Sequence, residues 1–338
     1  MTHSASPQPT SSSLPTVKET NTFFHILFKE PFICVISSGD LFETGVLLAR
    51  SLAAGRTCHI LVQPAWHLIP QMHNLARRVT EIKAKNPSLD FTVMCTTLVE
   101  FEAVKNLNLN ALHIHKNAFL DEKIFNPGIN PTKKYSAVHI ANVEPFKRHW
   151  LAFGIPNLAL ITYSYREGIA NTEEISGYKN IAFSNFDPKH PEAIKFLKPQ
   201  VVADVVRASH CGVILSEVEG ANNASTEYLM CGIPVVSTPS KGGRDEFFDS
   251  ENSRIVQPLP EAVEAAVTEF NEMELNPAEI HFNVMKKIRV HRARLLEWLE
   301  QMTGNNLFEQ ADENLWIPQF TNKLRQTVRL KIGIASNQ

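Results

Sequence analysis

The sequence predicts an α/β protein made of two doubly wound halves, each with a mostly parallel sheet between layers of helices. Short apolar runs alternate with amphipathic helical segments along most of the chain, and strands that alternate with helices form parallel βαβ units. The chain has 338 residues, 43% of them hydrophobic, which is enough for two cores of ordinary domain size. Its formal net charge of -2 gives no electrostatic reason to expect a nucleic-acid partner.

The beginning of the chain differs from the rest in composition. Ser, Thr and Pro dominate residues 1–22, which therefore lack the apolar content to build a packed element. They show neither the apolar run of a signal peptide nor the arginines of a transit peptide. We predict a disordered tail over 1–22.

The N-terminal domain is assigned to residues 23–115. Its predicted strands are 31–37, 58–63, 91–95 and 111–115, and its predicted helices are 41–54, 67–85 and 98–107. The loop after the first strand reads Ser-Ser-Gly-Asp-Leu-Phe-Glu-Thr-Gly, which is not the GxGxxG fingerprint of dinucleotide-binding enzymes. A Rossmann dehydrogenase is therefore disfavoured.

Punctuation by Pro and Gly marks residues 116–132 as an interdomain linker. The C-terminal domain is assigned to 133–305. Its predicted strands are 135–141, 157–163, 180–184, 212–215, 234–237 and 254–256, and its predicted helices are 149–153, 201–209, 223–231, 260–270 and 277–302. Residues 306–338 form a tail with apolar and aromatic anchors.

The segment 209–249 carries the most informative pattern. It reads strand, polar loop, helix, strand, glycine loop and a further short helix, with Asn223 as the expected N-cap of the first helix. Both loops lie where a strand ends and a helix begins. Ligands of open α/β sheets bind in that crevice, and the free N–H groups there suit a phosphate.

Two carboxylates mark this crevice. Glu219 lies in the first loop, and Glu227 falls in the predicted first turn of the helix behind it. Carboxylates accept two directional hydrogen bonds and therefore suit the vicinal hydroxyls of a sugar. The structural alternative is that Glu227 complements the helix dipole while Glu219 is a solvated loop residue.

The spacing Glu219-x7-Glu227, followed by Gly232-x-Pro-Val-Val236 and Gly242-Gly243-x-x-Glu246, resembles the donor-site signature of retaining, nucleotide-sugar-dependent glycosyltransferases of the GT-B fold. The resemblance covers residues 111–270 and is one of architecture before that. It implies two Rossmann-like domains with the C-terminal tail crossing back, Glu219 at the donor sugar and Glu227 at the nucleotide ribose. The other positions that it places around the nucleotide are Gly220, Asn222, Asn223, Gly242 and Gly243.

A cationic pair follows the first strand of the C-terminal domain. Lys147 stands where the resemblance implies a lysine at the donor diphosphate, and Asn142 stands where the family has an arginine. Arg148 is the candidate replacement. The structural alternative is a solvated helix start, although cations there oppose the dipole and favour an anionic ligand. The linker matches the family's interdomain segment in part, with Asn117, Phe125 and Pro127 present and Ala118 in place of glycine.

The resulting prediction is an enzyme that moves a sugar from a nucleotide-diphospho-sugar to an unidentified acceptor, with retention and without a metal or other cofactor, with Glu219 and Lys147 as its catalytic residues. Two alternatives stay open: a non-catalytic GT-B-like binding or partner subunit, which Asn142 and the small N-terminal half favour, and a nucleotide-sugar epimerase. Five scattered cysteines without metal spacing indicate a reducing cytoplasm. No apolar run approaches the roughly 18 residues of a membrane span.

Overall fold

The computed structural model describes residues 16–163, 172–187, 190 and 193–334, so that the prediction of disorder over 1–15 lies outside the described residues. Its strands form two six-stranded sheets: the first combines strands between residues 16 and 113 with the last described strand, β12 (Thr327–Ile334), and the second lies between residues 135 and 255. Among the described helices, none combines the length and the apolar character required to cross a bilayer.

The N-terminal sheet has the order β12-β1-β2-β3-β4-β5. Strands β2 to β5 run parallel, while β1 pairs antiparallel with both β2 and β12. The strands are β1 (Thr16–Phe28), β2 (Phe32–Ser37), β3 (Cys58–Gln63), β4 (Leu89–Cys95) and β5 (Asn110–His113). The helices are α1 (Phe42–Ala53), α2 (Met72–Lys85) and α3 (Leu98–Lys105).

The C-terminal sheet has the order β11-β10-β9-β6-β7-β8 and is parallel throughout. Its strands are β6 (Tyr135–Asn142), β7 (Leu158–Tyr163), β8 (Ile181–Ser184), β9 (Ser209–Ile214), β10 (Val235–Ser237) and β11 (Ser253–Ile255). The helices are α4 (Pro199–Arg207), α5 (Asn223–Met230), α6 (Pro260–Glu272) and α7 (Pro277–Thr303), and the last described strand is β12 (Thr327–Ile334).

The apolar runs became strands because both faces of each sheet are covered. In β2, Ile33 and Cys34 are fully buried and Ile36 is 1% exposed, so consecutive side chains on opposite faces are all buried. Helix α7 begins where Asn276 accepts a hydrogen bond from the N–H of Ala278, and it ends at Gly304, whose φ is 69°. These ends agree with the sequence pattern to within a residue or two.

Helix α7 contacts both halves of the molecule. His281 hydrogen-bonds the carbonyl of Met230 through Nδ1 at 2.6 Å, whereas Arg294 donates to the carbonyl of His113 at 3.1 Å. Arg292 is fully buried, donates to the carbonyl of Ala118 and pairs with Glu122 at 2.5 Å. The basic residues of this helix therefore include one that ties it to the linker.

The first and last described strands pair with each other in the N-terminal sheet. Strand β12 lies antiparallel to β1, with Thr22 opposite Val328, so the C-terminal tail crosses back as the GT-B architecture implies. The prediction of disorder is therefore wrong for residues 16–22, which form the first part of β1. Their composition is polar, but β12 supplies a backbone partner that no local pattern in the sequence reveals.

Candidate functional site

A cavity of about 820 Å³ lies between the two sheets, at the carboxyl ends of their parallel strands. Its N-terminal wall consists of Phe23, Ala65, Trp66, Lys116 and Arg325. Its C-terminal wall consists of Ile140, Asn142, Glu144, Phe146, Lys147, Tyr163, Glu227 and residues 219–224. Trp66 and Phe146 meet edge to face across the interface, with ring centroids 5.3 Å apart. The cavity thus depends on both domains.

Lys147 and Glu219, both predicted site residues, form an ion pair in this cavity. Lys147 ends a 3-10 turn (Pro145–Lys147) beyond β6, and Glu219 lies in the loop after β9. Their residues are 6% and 4% exposed, and the Nδ2 of Asn222 donates to the same carboxylate oxygen at 3.0 Å. A buried carboxylate with two donors is held in one orientation.

Arg148 points away from the cavity. Its backbone is left-handed, with φ at 51°, and joins the turn before it to the 3-10 helix His149–Ala152. Its Nε donates to the carbonyl of Leu215 at 2.6 Å, and its Nη2 donates to the Oγ1 of Thr238 at 2.7 Å. We expected Arg148 to replace the missing family arginine beside Lys147, but the left-handed turn separates the two side chains.

Helix α5 brings Glu227 to the cavity. The helix is capped by Asn222, whose Oδ1 accepts from the N–H of Ser225 at 3.0 Å, so the predicted cap Asn223 is wrong by one residue. Glu227 consequently lies in the second turn and not in the first. The side chain of Asn223 lines the cavity instead, and its Oδ1 has no hydrogen-bond partner among the described residues.

Glu227 is 8% exposed, and burial raises the pKa of its carboxyl. Its Oε1 lies 3.6 Å from the Nζ of Lys323, which comes from the C-terminal tail. Glu227 and Lys323 also line a second cavity of about 460 Å³. The two cavities share Ile140, Tyr163 and Glu227. Glu227 therefore lies at their junction.

The second cavity is mainly apolar. Its apolar wall comprises Phe119, Leu120, Ile124, Phe125, Ile161, Phe196, Leu197, Pro199 and Val202. Thr162 and Asn185 add polar groups; Thr162 is 1% exposed, and its Oγ1 has no hydrogen-bond partner within the described part of the chain. The pair of cavities consequently offers one charged compartment and one apolar compartment, with a carboxylate between them.

The predicted glycines pack against the N-terminal domain. A Cβ at Gly220 would lie 2.9 Å from the carbonyl carbon of Trp66, and one at Gly243 would lie 2.8 Å from Thr96. Gly242 has a φ of 103°, which glycine adopts without strain. The N–H of Gly243 donates to the carbonyl of Gly220 at 2.8 Å. Gly220 lines the cavity, whereas Gly242 and Gly243, expected at the diphosphate, form an interdomain contact.

His115 fixes that glycine loop from the N-terminal domain. Its Nε2 hydrogen-bonds the carbonyl of Gly243 at 2.9 Å, and its Nδ1 accepts from the N–H of Asn117. Burial, with a contribution from nearby His291, lowers the pKa of His115 to about 3. The residues after Arg244 form turns where we expected a short helix.

Sequence reasoning missed three cations. Lys116 begins the 3-10 helix Lys116–Phe119 of the linker, and Lys323 and Arg325 come from the tail. The pKa of Lys116 is lowered to about 8, first by burial and then by Arg325 and Lys323. The partial linker motif at Asn117 was a signal for Lys116, since Asn117 donates to the carbonyl of Asn222 at 2.6 Å. Nothing in the sequence marked the tail residues.

His113, Glu246 and His291 form a compact cluster at the domain interface, with both Nε2 atoms within 3.4 Å of one Glu246 oxygen. Arg294 lies 2.9 Å from the Nδ1 of His113, and the N–H of His115 donates to the Nδ1 of His291. Both Nδ1 atoms accept hydrogen bonds, so Nε2 is the nitrogen of each ring that carries hydrogen, whereas a metal would need its lone pair. Burial acts to raise the pKa of Glu246, but the two imidazoles lower it to about 2. These contacts fit an interdomain network of ion pairs and hydrogen bonds and do not fit a metal centre.

No protein-family model matches the sequence, and no curated protein matches it. Solved structures do. HepE from Anabaena in complex with UDP and glucose superposes with a TM-score of 0.58 at 12% identity, over 79% of this chain and 78% of that one. The α,α-trehalose-phosphate synthase (UDP-forming) from Burkholderia xenovorans, in complex with glucose-6-phosphate, gives 0.52 at 13% identity, over 80% and 74%. These likenesses show the fold: the chain has the GT-B architecture of nucleotide-sugar glycosyltransferases.

Proposed function

We propose that this protein transfers a sugar from a nucleoside-diphosphate sugar to an acceptor, with the donor bound across the two adjoining cavities. The observation that carries the proposal is the position of Glu227 at their junction. A nucleotide has a flat base on one side of its ribose and charged phosphates on the other. The apolar and the charged compartments match that division, and both volumes lie within about 300–1,000 Å³, the usual range for ligand sites.

In this proposal the ribose hydroxyls donate to Glu227, and the base enters the apolar cavity. The Oγ1 of Thr162 is a polar group there with no described partner, as expected of a group that a ligand completes. Burial of Glu227 strengthens its hydrogen bonds with a ligand, because water competes less for the carboxylate.

The diphosphate and the sugar occupy the charged cavity. An ammonium has three N–H donors, so Lys147 can keep Glu219 and still donate to phosphate oxygens. Lys147 would neutralise charge that develops on the leaving diphosphate, and Glu219 would accept hydroxyl groups of the sugar. This chemistry uses side-chain cations and asks for no metal.

We further propose retention at the anomeric carbon, as in the glycosyltransferases that the Glu219-x7-Glu227 motif resembles. UDP-sugars are the first donors to test, because HepE of Anabaena, a structure of the same fold, is recorded with UDP-glucose. A cytoplasmic location remains our prediction and accords with five cysteines that are all free and buried.

A second candidate function is a nucleotide-sugar-binding subunit without turnover. Asn142 favours it, since this neutral, 4% exposed side chain stands in the cavity wall where the related motif has a cation. Such a subunit would bind the donor but release no product.

A ligand screen tests the shared basis of both candidates. Thermal unfolding is recorded with UDP, GDP, ADP and their glucose conjugates, and with free glucose and nucleoside monophosphates as controls. We expect one diphosphate series to raise Tm well above the controls, since a ligand at a hundred times its Kd stabilises by about 2.7 kcal/mol. A protein that responds to none of these nucleotides would refute the donor site.

A further inference from the structure

We propose that Arg325 of the C-terminal tail and Lys116 of the linker are the second and third cations that hold the donor diphosphate with Lys147. The inference rests on the proposed function and assigns to it residues from outside the donor-binding domain. If these two residues bind the diphosphate, the phosphate site is complete only when the tail has crossed back onto the N-terminal sheet.

Among the described residues of the donor-binding domain, Lys147 is the cation that lines the cavity. Asn142 is neutral, and its Oδ1 has no hydrogen-bond partner among the described residues. Arg148 is committed to Leu215 and Thr238 behind the cavity wall. Lys147 is already paired with Glu219. A leaving diphosphate needs preorganised cations at the point where its charge develops, so a single paired lysine is a poor match for it.

The tail holds Arg325 at the cavity from two sides. Leu324 before it is 1% exposed, and the carbonyl of Gln326 after it accepts from the N–H of Phe24 at 2.8 Å. The guanidinium carbon of Arg325 lies 3.6 Å from the ring centroid of Phe23, a cation–π contact. Both Phe23 and Arg325 line the cavity. A guanidinium has five N–H donors, so it can bind a phosphate and keep its present contacts.

Lys116 is held by the residue that follows it. Asn117 is fully buried and donates to the carbonyl of Asn222 and to the Oγ1 of Thr226, both at the start of helix α5. This bond fixes Lys116 against the loop that carries Glu219. Burial lowers the pKa of Lys116, and the charges of Arg325 and Lys323 lower it further, whereas Glu219 acts to raise it.

Three described carboxylates lie in the wall of this cavity. Glu219 lies beside Lys147, and Glu227 lies beside Lys323. Glu144 is the third of these carboxylates. Lys116, Lys147 and Arg325 come from three separate segments and line the same cavity, and several cations around one cavity suit a ligand with more than one negative charge, such as a diphosphate.

Three variants with matched size and charge change test the inference: Arg325→Met, Lys116→Met and the control Arg329→Met. Arg329 lies on β12 of the same tail but is exposed and outside the cavity wall. Inorganic pyrophosphate and the nucleoside diphosphates UDP, GDP and ADP are titrated by calorimetry. We expect Arg325→Met and Lys116→Met each to lower the affinity for pyrophosphate, and for whichever nucleoside diphosphate the wild type binds, by roughly tenfold or more. This is the effect of losing a charge-assisted hydrogen bond. Arg329→Met should bind like wild type.

Arg325→Lys is the control for loss of folding. It keeps the positive charge and should retain more affinity for pyrophosphate than Arg325→Met. The salt dependence of pyrophosphate binding should also become shallower in both methionine variants. If the wild type binds nucleotide and both variants match Arg329→Met, this inference is overturned while the proposed function stands. If the wild type binds pyrophosphate through these cations but no nucleotide, the proposed function fails and the cation cluster remains.

Discussion

Lys147 and Glu219 form a buried ion pair inside the interdomain cavity, although 72 residues separate them along the chain. One partner follows the first strand of the C-terminal sheet, and the other follows β9, its neighbour in that sheet. The pair joins the residue that we place at the phosphates to the residue that we place at the sugar. Each of them consequently has a structural role as well as a proposed functional one.

Lys147→Met separates these roles. Removal of one partner leaves a buried charge, so the free energy of unfolding should fall by about 3–5 kcal/mol. If transfer occurs as proposed, kcat/KM should fall by roughly a hundredfold or more. The double variant Lys147→Met/Glu219→Gln should regain most of the stability and none of the turnover. Restored turnover in the double variant would mean that Lys147 serves the fold alone.

Glu219→Gln should discriminate between ligands. Ribose and phosphate contacts persist, so the bare nucleoside diphosphate should bind at least as tightly as it binds wild type. The additional affinity that the sugar provides should decrease by about 1.5–3 kcal/mol, the range for a hydrogen bond to a charged group. Calorimetry with both ligands measures the split. Equal losses for the two would place Glu219 in support of the loop only.

Glu227→Gln should move affinity and stability in opposite directions. Burial raises the folded-state pKa of this carboxyl, so its ionised form costs stability once the pH has risen past that pKa. At pH 7 the variant should therefore unfold less easily, yet bind the nucleotide about 1.5–3 kcal/mol more weakly. Glu261→Gln, at an exposed position of α6, is the matched control. A variant that loses stability and keeps its affinity would contradict the ribose assignment.

Buried histidines make the fold sensitive to acid. His115 has its pKa lowered from 6.5 to about 3, so between these values the unfolded chain binds a proton that the fold excludes. Stability should thus fall as the pH drops below 6.5, by up to about 1.4 kcal/mol per pH unit for this one group. Denaturant titrations at several pH values should show that His115→Gln has a shallower decline than wild type. Parallel declines would show that His115 does not contribute.

The sequence was sufficient for the βα alternation because each strand and helix has a local signal. Helix α7 has its Asn276 cap and its terminal Gly304, and β2 is a continuous apolar run. The donor motif likewise placed Glu219 and Glu227 near one cavity. Local signals also explain the small errors. Asn222 and Asn223 have the same preference for the N-cap position, and only the backbone conformation of the folded chain places Asn222 there.

The remaining features depend on contacts distant in sequence. Lys323 and Arg325 reach the cavity because β12 pairs with β1, about 300 residues away along the chain. Arg148 points backward because its left-handed backbone follows a 3-10 turn, which a helical projection does not describe. The glycine loop turns from the cavity because His115 and Thr96 of the other domain contact it.

Release of nucleoside diphosphate is the measurement that tests the central claim most directly. The purified protein is incubated with UDP-, GDP- and ADP-sugars, with and without pools of glycan, lipid-linked and small-molecule acceptors, and Glu227→Gln is assayed beside it. We predict release from one donor that rises strongly with one acceptor pool and falls at least tenfold in the variant. Donor conversion that ignores every acceptor would indicate an epimerase, and binding without any release would indicate a binding subunit. Either result would contradict the transferase.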